Sequence, residues 1–353
     1  MSLSIGIIGL SSFYGPAFAE RASARPDCSV VAVTAGGVDD KTLTTLGRPS
    51  RTSFAQEHSC KIVDDADKVL ELADSVVVAT PTSRRGPDAR HALLRDVPVL
   101  VAKPAAADYE AARELAATAT ETDTPLVFTR PARYDDGVGS VAQRVVDGTI
   151  GDVVAVRAAI RHDRVPAAGI DANAEHAPGE AGSAYAMSVY TADALLWLTD
   201  CDPHRVTAEY ENTNSPHSSH PDLGTGTVRF NNGALGTMTM TYSTDCREAW
   251  GNWEVEVVGT DGILRTVHQG YEGIHWRTGD FDERSTSVFG RTTSPVLERL
   301  FDAFVETVRS GRPPQTPSAE DATAALGLCR AWEHAADSGR VILDHWPPTS
   351  LDG

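Results

Sequence analysis

The sequence is short of lysine. Only Lys41, Lys61, Lys68 and Lys103 occur among its 31 basic residues, against 49 acidic ones. The net charge of −18 argues against any basic surface for a phosphate backbone or an anionic bilayer, so nucleic acid is not an expected partner. Long apolar runs are missing too. No stretch reaches the roughly 18 apolar residues of a membrane span, and no basic segment followed by an apolar core and cleavage site opens the chain. The expectation is a cytoplasmic protein with no membrane partner. The five cysteines, Cys28, Cys60, Cys201, Cys246 and Cys329, are odd in number, scattered, and never form a Cys-x-x-Cys pair. That speaks against a disulfide scaffold and against a zinc site, and it reads as buried apolar thiols in a reducing compartment with no metal. Excess carboxylate with few lysines favours a protein working in high salt, where self-repulsion is screened. The alternative is a GC-rich genome that prefers arginine codons.

What is present is ordinary for a globular chain. Apolar residues make up 41 % and charged residues 23 % of 353, enough for two cores. The first 130 residues alternate β-branched runs with helical segments. Strands are predicted over 5–10, 29–35, 75–80, 97–102 and 125–129, with a weaker one at 60–63, and helices over 16–24, 88–94 and 108–120. Continuous apolar strands separated by helices imply a doubly wound parallel sheet covered on both faces. After Arg130 the pattern changes. A helix over 139–147 ends at Gly148, and a strand over 153–161 follows. A loop rich in Ala, Gly and Pro over 165–182 then leads to an apolar helix over 184–198. Alternating strands follow over 205–211, 224–231, 233–243, 252–259 and 262–268, with Asn231-Asn232-Gly233 as a hairpin turn. Two helices close the chain. Leu297, Leu300, Phe301, Phe304, Val305 and Val308 share one face of the first, and Ser318 with Asp321 form a capping box before the second, over 322–336. The fold class is therefore α/β, a parallel-sheet domain over 1–130 followed by an α+β domain over 131–353 with an open, mostly antiparallel sheet. An alternative places the closing helices, 295–338, against the first domain.

The first strand runs into Gly9-Leu10-Ser11-Ser12-Phe13-Tyr14-Gly15-Pro16. A glycine turn between strand one and helix one is where a dinucleotide pyrophosphate docks. The full Gly-x-Gly-x-x-Gly fingerprint is incomplete, since Ser11 and Tyr14 occupy the second and third places and Gly15 comes one place late. Alone, the turn reads equally well as a plain strand-to-helix connection. The Ser11 and Ser12 hydroxyls are candidate phosphate donors. Strand two ends at Ala35-Gly36-Gly37, without the carboxylate that would hold a ribose hydroxyl. Asp39 and Asp40 follow, as helix-start or loop residues. A missing acid removes repulsion toward a 2′-phosphate, so NADP is slightly favoured over NAD. Strands four and five end in Ala79-Thr80-Pro81-Thr82 and Ala102-Lys103-Pro104, both at carboxyl ends where such sheets bind ligands. A lysine in that place can orient a hydroxyl and a nicotinamide.

The ordered set of these motifs resembles the glucose–fructose oxidoreductase, inositol dehydrogenase and MocA family (Gfo/Idh/MocA). The turn from Ile7-Ile8-Gly9, the step Ala79-Thr80-Pro81-Thr82 and the motif Ala102-Lys103-Pro104 carry the likeness, together with Ile150-Gly151-Asp152 and Gly311-Arg312-Pro313-Pro314. It extends over nearly the whole chain. It implies a Rossmann domain that binds NAD(P), a substrate cleft beside it, a homodimer or larger homo-oligomer, and hydride transfer to or from the CH–OH or carbonyl carbon of a sugar, polyol or related small molecule. Gly9, Ser11, Ser12, Phe13, Tyr14, Ala35, Thr80, Pro81, Lys103 and Pro104 would bind the cofactor. The family's His-x-x-Asp helix matches Tyr190-Thr191-Ala192-Asp193, with Tyr190 in the histidine place, and Arg85 stands where relatives have a histidine after strand four. Lys103, Tyr190 and Asp193 are the implied catalytic set. Lys103 would anchor the cofactor and polarise the substrate oxygen, Tyr190 would be the acid/base, and Asp193 would orient substrate or Lys103. Arg130 and His176 join Lys103, Tyr190 and Asp193 as substrate-binding candidates. The opposing reading is a nucleotide-binding regulator that kept the fold and lost the chemistry. His162, His217 and His220 read as surface histidines.

Overall fold

The computed structural model describes residues 2–163, 182–213, 221–244, 252–268, 274–278, 283–286, 293–312, 318–339, 341–342 and 346. His176, His217, His220, Cys246 and the predicted loop up to residue 181 lie outside the described residues. The chain divides into two compact units. The first draws on Met1–Arg130 and Leu297–Thr323, the second on Pro131–Ile170, Gly182–Val296 and Ala324–Gly353.

In the first unit the order is β1 (Leu3–Ile8), α1 (Tyr14–Ala24), β2 (Cys28–Thr34), α2 (Asp40–Thr45), α3 (Arg51–His58), β3 (Lys61–Ile62), α4 (Ala66–Leu70), β4 (Ser75–Val78), α5 (Thr82–Leu93), β5 (Val99–Val101), α6 (Tyr109–Thr122) and β6 (Leu126–Phe128). The sheet is parallel throughout, in the order β3-β2-β1-β4-β5-β6. Strand order reverses between β1 and β4, and the crevice at their carboxyl ends is the place such sheets offer a ligand. The side chains of β4 and β5 are wholly buried, as runs without alternation require.

Two features depart from the sequence reading. Helices α2, α3 and α4 were not predicted. Each is short and buries only one or two side chains, so no apolar periodicity marks it, although Asp39, Ser50 and Asp65 cap their first turns. Helix α5 begins at Thr82, six residues before the predicted start. The Gly86-Pro87 step reads as a break, yet Pro87 sits inside the helix and forgoes one hydrogen bond. Thr82, Arg85, Gly86 and Ala89 are buried along one face and hold these first turns in place.

In the second unit a 3₁₀ turn at Pro131–Tyr134 leads to α7 (Asp136–Val146), β7 (Val153–Asp163) and α8 (Ser183–Thr199). Strands β8 (Pro203–Glu211), β9 (Leu223–Phe230), β10 (Leu235–Thr244), β11 (Asn252–Gly259), β12 (Gly262–His268), β13 (Ile274–Thr278) and β14 (Glu283–Thr286) follow. The chain closes with α9 (Thr293–Ser310), α10 (Ala319–Ser338) and β15 (Val341–Ile342). The sheet order is β14-β13-β12-β11-β7-β10-β9-β8-β15, antiparallel except between β7 and β10. Strands β13, β14 and β15 extend it beyond the predicted set. Gly233, at φ 89°, makes the β9–β10 hairpin turn.

Helix α9 from Leu297 packs within the first unit, where Phe301 stacks on Phe18 at 6.0 Å between ring centres. Helix α10 beyond Thr323 packs in the second, where Trp332 donates its indole N–H to the Thr227 carbonyl at 3.3 Å. The Ser318–Asp321 box forms in both directions, at 2.8 and 3.1 Å. Cys28 and Cys329 are buried, but Cys60 and Cys201 are only partly so. Cys201 sits at the helix-to-strand corner after α8, where its sulfur accepts the Asn232 amide, so the expectation of five fully buried thiols is corrected there.

Candidate functional site

The first unit builds its part of the site from backbone turns. β1 runs out into Gly9, whose φ of 97° suits only glycine. A side chain on Gly9 would also run into the backbone of Ala79 and Thr80 at the end of β4. Gly15, one place late by the fingerprint, does the work of the third glycine. A Cβ there would stand 2.7 Å from the Gly9 carbonyl oxygen and 3.1 Å from the Ala79 Cβ. Ser11 is buried and its hydroxyl donates to the Ala79 carbonyl at 3.4 Å. The Ser12 amide donates to the same carbonyl at 3.2 Å, and the Ser12 Oγ accepts the Tyr14 amide at 3.4 Å. Both hydroxyls therefore brace the turn. Phe13 is exposed at the N-cap of α1, and Tyr14 is buried against Phe18, with ring centres 5.8 Å apart.

Within this unit α1 and α5, which flank the switch point, have N-cap residues, Phe13 and Pro81, that give no side-chain cap. Helices α2, α3, α4 and α6 are capped by Asp39, Ser50, Asp65 and Asp108. Beside these two helix starts Thr80 is wholly buried, and among the described residues its Oγ1 has no hydrogen-bond partner. A Cβ on Gly36 would overlap the Thr80 methyl and approach the Gly9 Cα to 2.9 Å. The ends of β1, β2 and β4 thus converge on a glycine cradle with one unsatisfied hydroxyl. These features fit the pyrophosphate and ribose of a dinucleotide, which needs close backbone approach and helix N-termini. Ala35 is buried at the end of β2. The nearby carboxylates are committed elsewhere. Asp39 accepts the Thr42 amide at 2.7 Å, and Asp40 accepts the Arg51 amide at 3.1 Å and its Nε at 3.2 Å. Those backbone hydrogen bonds hold both carboxyls below the usual range.

Lys103 is only 8 % exposed and precedes a cis peptide to Pro104. The segment is latched by Arg85, itself 1 % exposed. Its Nε donates to the Thr80 carbonyl at 2.9 Å, and its Nη1 donates to the carbonyls of Lys103 and Pro104 at 3.0 and 2.7 Å. One side chain therefore ties together the two strand-end motifs. Arg130, a substrate candidate by sequence, is buried with its guanidinium donating to the Ala322 carbonyl, which joins the end of β6 to α10.

In the second unit Tyr190 is half-buried on α8 and packs against a cluster that includes Ala132, Ile160, Met187 and Met240. Asp193, one turn on, is gripped by Arg133. The Arg133 Nε donates to both carboxylate oxygens at 3.1 Å and its Nη2 to Oδ1 at 2.9 Å, and the two side chains are 3 % and 2 % exposed. The guanidinium also lies over the Trp197 ring at 4.9 Å. Nearby, the Ser188 and Tyr210 hydroxyls are 3.0 Å apart, and burial pushes the Tyr210 phenol well up. Burial likewise pushes Tyr134 up to about 12. His162 lies on β7 with its side chain outside the described residues.

Arg85 and Arg133 are the two organising residues that the sequence reading gave no role. An earlier start for α5 would have placed Arg85 on its buried face. Nothing in the sequence marks Arg133 as the partner of Asp193, sixty positions away.

Comparison with known proteins agrees with this architecture. Residues 3–129 match the family described as "Oxidoreductase family, NAD-binding Rossmann fold", and residues 138–265 match the "GFO/IDH/MocA C-terminal domain". No curated protein sequence matches the chain. Among solved structures, GenD2 from gentamicin A biosynthesis in complex with NAD superposes with a TM-score of 0.80 at 22 % identity, over 98 % of this chain and 97 % of its own. Levoglucosan dehydrogenase in complex with NADH and levoglucosan gives 0.81 at 15 % identity, over 98 % and 100 %. A putative myo-inositol dehydrogenase from Sinorhizobium meliloti 1021 gives 0.75 at 19 % identity, over 97 % and 99 %. At these identities the structures share the fold.

Proposed function

The chain belongs to the Gfo/Idh/MocA family of oxidoreductases, and from that premise we propose that it transfers a hydride between NAD(P)(H) and the CH–OH or carbonyl carbon of a sugar, polyol or related small molecule. The observation that carries this reading is Lys103, one of four lysines in the chain, buried at the end of β5 with its backbone latched to the glycine cradle's Thr80 by Arg85. Gly9, Thr80, Pro81 and Pro104 would contact the dinucleotide, which when bound supplies the hydride acceptor or donor. Lys103 holds the substrate oxygen and polarises it. In oxidation the carbinol carbon would give its hydride to the bound dinucleotide, and Tyr190, in its phenolate form, would take the hydroxyl proton. In reduction that proton returns. Asp193, with both oxygens on Arg133, acts as a positioning residue that fixes α8 under Tyr190.

A homodimer or larger homo-oligomer is part of the same proposal. Side chains alternate along the sheet of the second unit, and the face opposite Met238 and Met240 exposes Leu235 and Ile263. Light scattering in molar KCl tests it, and a clean monomer would refute it. Function is tested by titrating NADH and NADPH against protein fluorescence, followed by a turnover screen over sugars and polyols. Saturable binding with turnover is expected. Binding without turnover on any of them would favour a nucleotide-binding regulator.

A further inference from the structure

We propose that Arg84 and Arg48 grip the 2′-phosphate of NADP(H) at the end of β2, so that this chain selects the phosphorylated dinucleotide. The proposal rests on the dinucleotide reading above. It starts from a vacancy, because no carboxylate stands on Ala35-Gly36-Gly37 to hold a ribose diol, and Asp39 and Asp40 are engaged by α2 and by Arg51.

Arginine occupies that place from elsewhere in the chain. Because α5 starts at Thr82, Arg84 lies on its first turn, and its Nη1 sits where a Cβ of Gly37 would be. Gly37 has a φ of 84°, which favours glycine there, and the end of the Arg84 side chain lies over it. Arg84 is 52 % exposed, and its Nη2 donates to Asp88 one turn on at 3.3 Å. Such an exposed i,i+4 pair sets an orientation but contributes little energy, so a dianionic phosphate competes with it readily. Arg48, from the α2–α3 connection, donates its Nε to the Ser11 carbonyl at 3.1 Å and lies over the Phe13 ring at 5.8 Å. It is thereby fixed to the β1 turn, while the Arg84 guanidinium lies against the β2 turn at Gly37. Those turns touch, since Gly36 has room for no Cβ against Gly9. Two guanidinium groups from distant segments therefore border the ribose end of the cradle. Guanidinium matches phosphate through paired N–H donors. On a chain of net charge −18, an added phosphate is repelled unless cations gather locally, and here they do.

The test is equilibrium binding, by nicotinamide fluorescence, of NADPH and NADH to the full-length protein and to Arg84→Ala, Arg48→Ala and the double variant, with 2′,5′-ADP and 5′-AMP as competing probes. The wild type is expected to bind NADPH at least about tenfold more tightly than NADH. Arg84→Ala should weaken NADPH about tenfold and leave NADH within about twofold. The double variant should bring the two to parity, and 2′,5′-ADP should lose its advantage over 5′-AMP in step. Arg84→Lys, which keeps the charge but not the paired donors, should fall between. Equal affinity for NADPH and NADH in the wild type would overturn the assignment, as would equal losses for both in the variants, with the dinucleotide site left standing. A folded protein that binds neither cofactor would overturn the underlying reading as well.

Discussion

Arg85 in the first unit and Arg133 in the second are both buried beside a candidate site residue, yet Arg85 holds the backbone carbonyls of Thr80, Lys103 and Pro104 whereas Arg133 holds the carboxylate of Asp193. The acceptors decide what each arginine does. Carbonyls at the ends of two strands are fixed by the sheet, so Arg85 sets the distance between two loops and thereby places Lys103. A carboxylate on a helix carries full charge, so Arg133 makes burial of Asp193 tolerable and locks α8 to the Pro131–Tyr134 turn. Removing Arg85 leaves dipoles without a donor. Removing one partner of the second pair leaves a buried ion.

That contrast can be broken in order of effect. The residues being positioned come first. Lys103→Met removes the charge and all three N–H donors, and turnover should fall by about 10²–10⁴, the usual contribution of a positioned acid–base group. Tyr190→Phe keeps the ring and should lower turnover with stability nearly unchanged, and the two losses should be non-additive in steady-state kinetics. Full turnover in Tyr190→Phe, with Lys103→Met merely weaker in cofactor binding, would refute these roles.

The ion pair comes next. Asp193→Ala should destabilise the fold by about 3–5 kcal/mol in urea unfolding, because Arg133 is left charged and buried. Asp193→Leu with Arg133→Met should recover most of it. If the double replacement is no better than the single, the cost comes from packing and the contrast with Arg85 fails. Arg85→Met should cost less, roughly 2–3 kcal/mol, since each lost bond is worth about 1.5–3 kcal/mol and neighbouring losses do not add. Its distinguishing mark is a raised KM for dinucleotide as Thr80 and Lys103 lose their tie, which Asp193→Ala should not share.

Salt separates the surface from these interiors. The thermal midpoint should rise by a few degrees from low to molar KCl as exposed carboxylates are screened. The stability cost of Asp193→Ala should hardly change over the same range. A flat or falling midpoint ends the high-salt reading. The smallest effect is alkaline. Tyr134, next to Arg133, has its phenol raised by burial from 10 to about 12. A raised folded value means stability that is present below about pH 10 and lost as pH rises through about 12. Ultraviolet titration of wild type against Tyr134→Phe reads it, and ionisation at the ordinary value would show the ring to be wet.

The parallel sheet was legible because β4 and β5 are unbroken apolar runs bounded by turn residues, and such runs have few other homes. The two helix-boundary signals, Gly148 at a helix end and the Ser318–Asp321 box at a helix start, were legible because capping is local chemistry. Helices α2 to α4 were not, since one buried residue such as Leu43 or Phe54 leaves no period to detect. The misplaced start of α5 had the larger consequence, for it put Arg84 and Arg85 outside any predicted element.

By itself, then, the sequence determined the order of the longer strands and helices but not α2–α4 or β13–β15, and it determined the glycine turn after β1, the absence of an acid after β2 and the position of Lys103 at a strand end. All of these depend on neighbours within a few residues, where spacing and chirality act directly. Only the tertiary structure decided that Arg85 ties Thr80 to Lys103, that Asp193 answers to Arg133, and that Arg84 fills the space left by Gly37. Those contacts join side chains whose meeting is set by how strands order themselves and how helices pack. A long, flexible arginine carries no local signal of which distant oxygen it will reach.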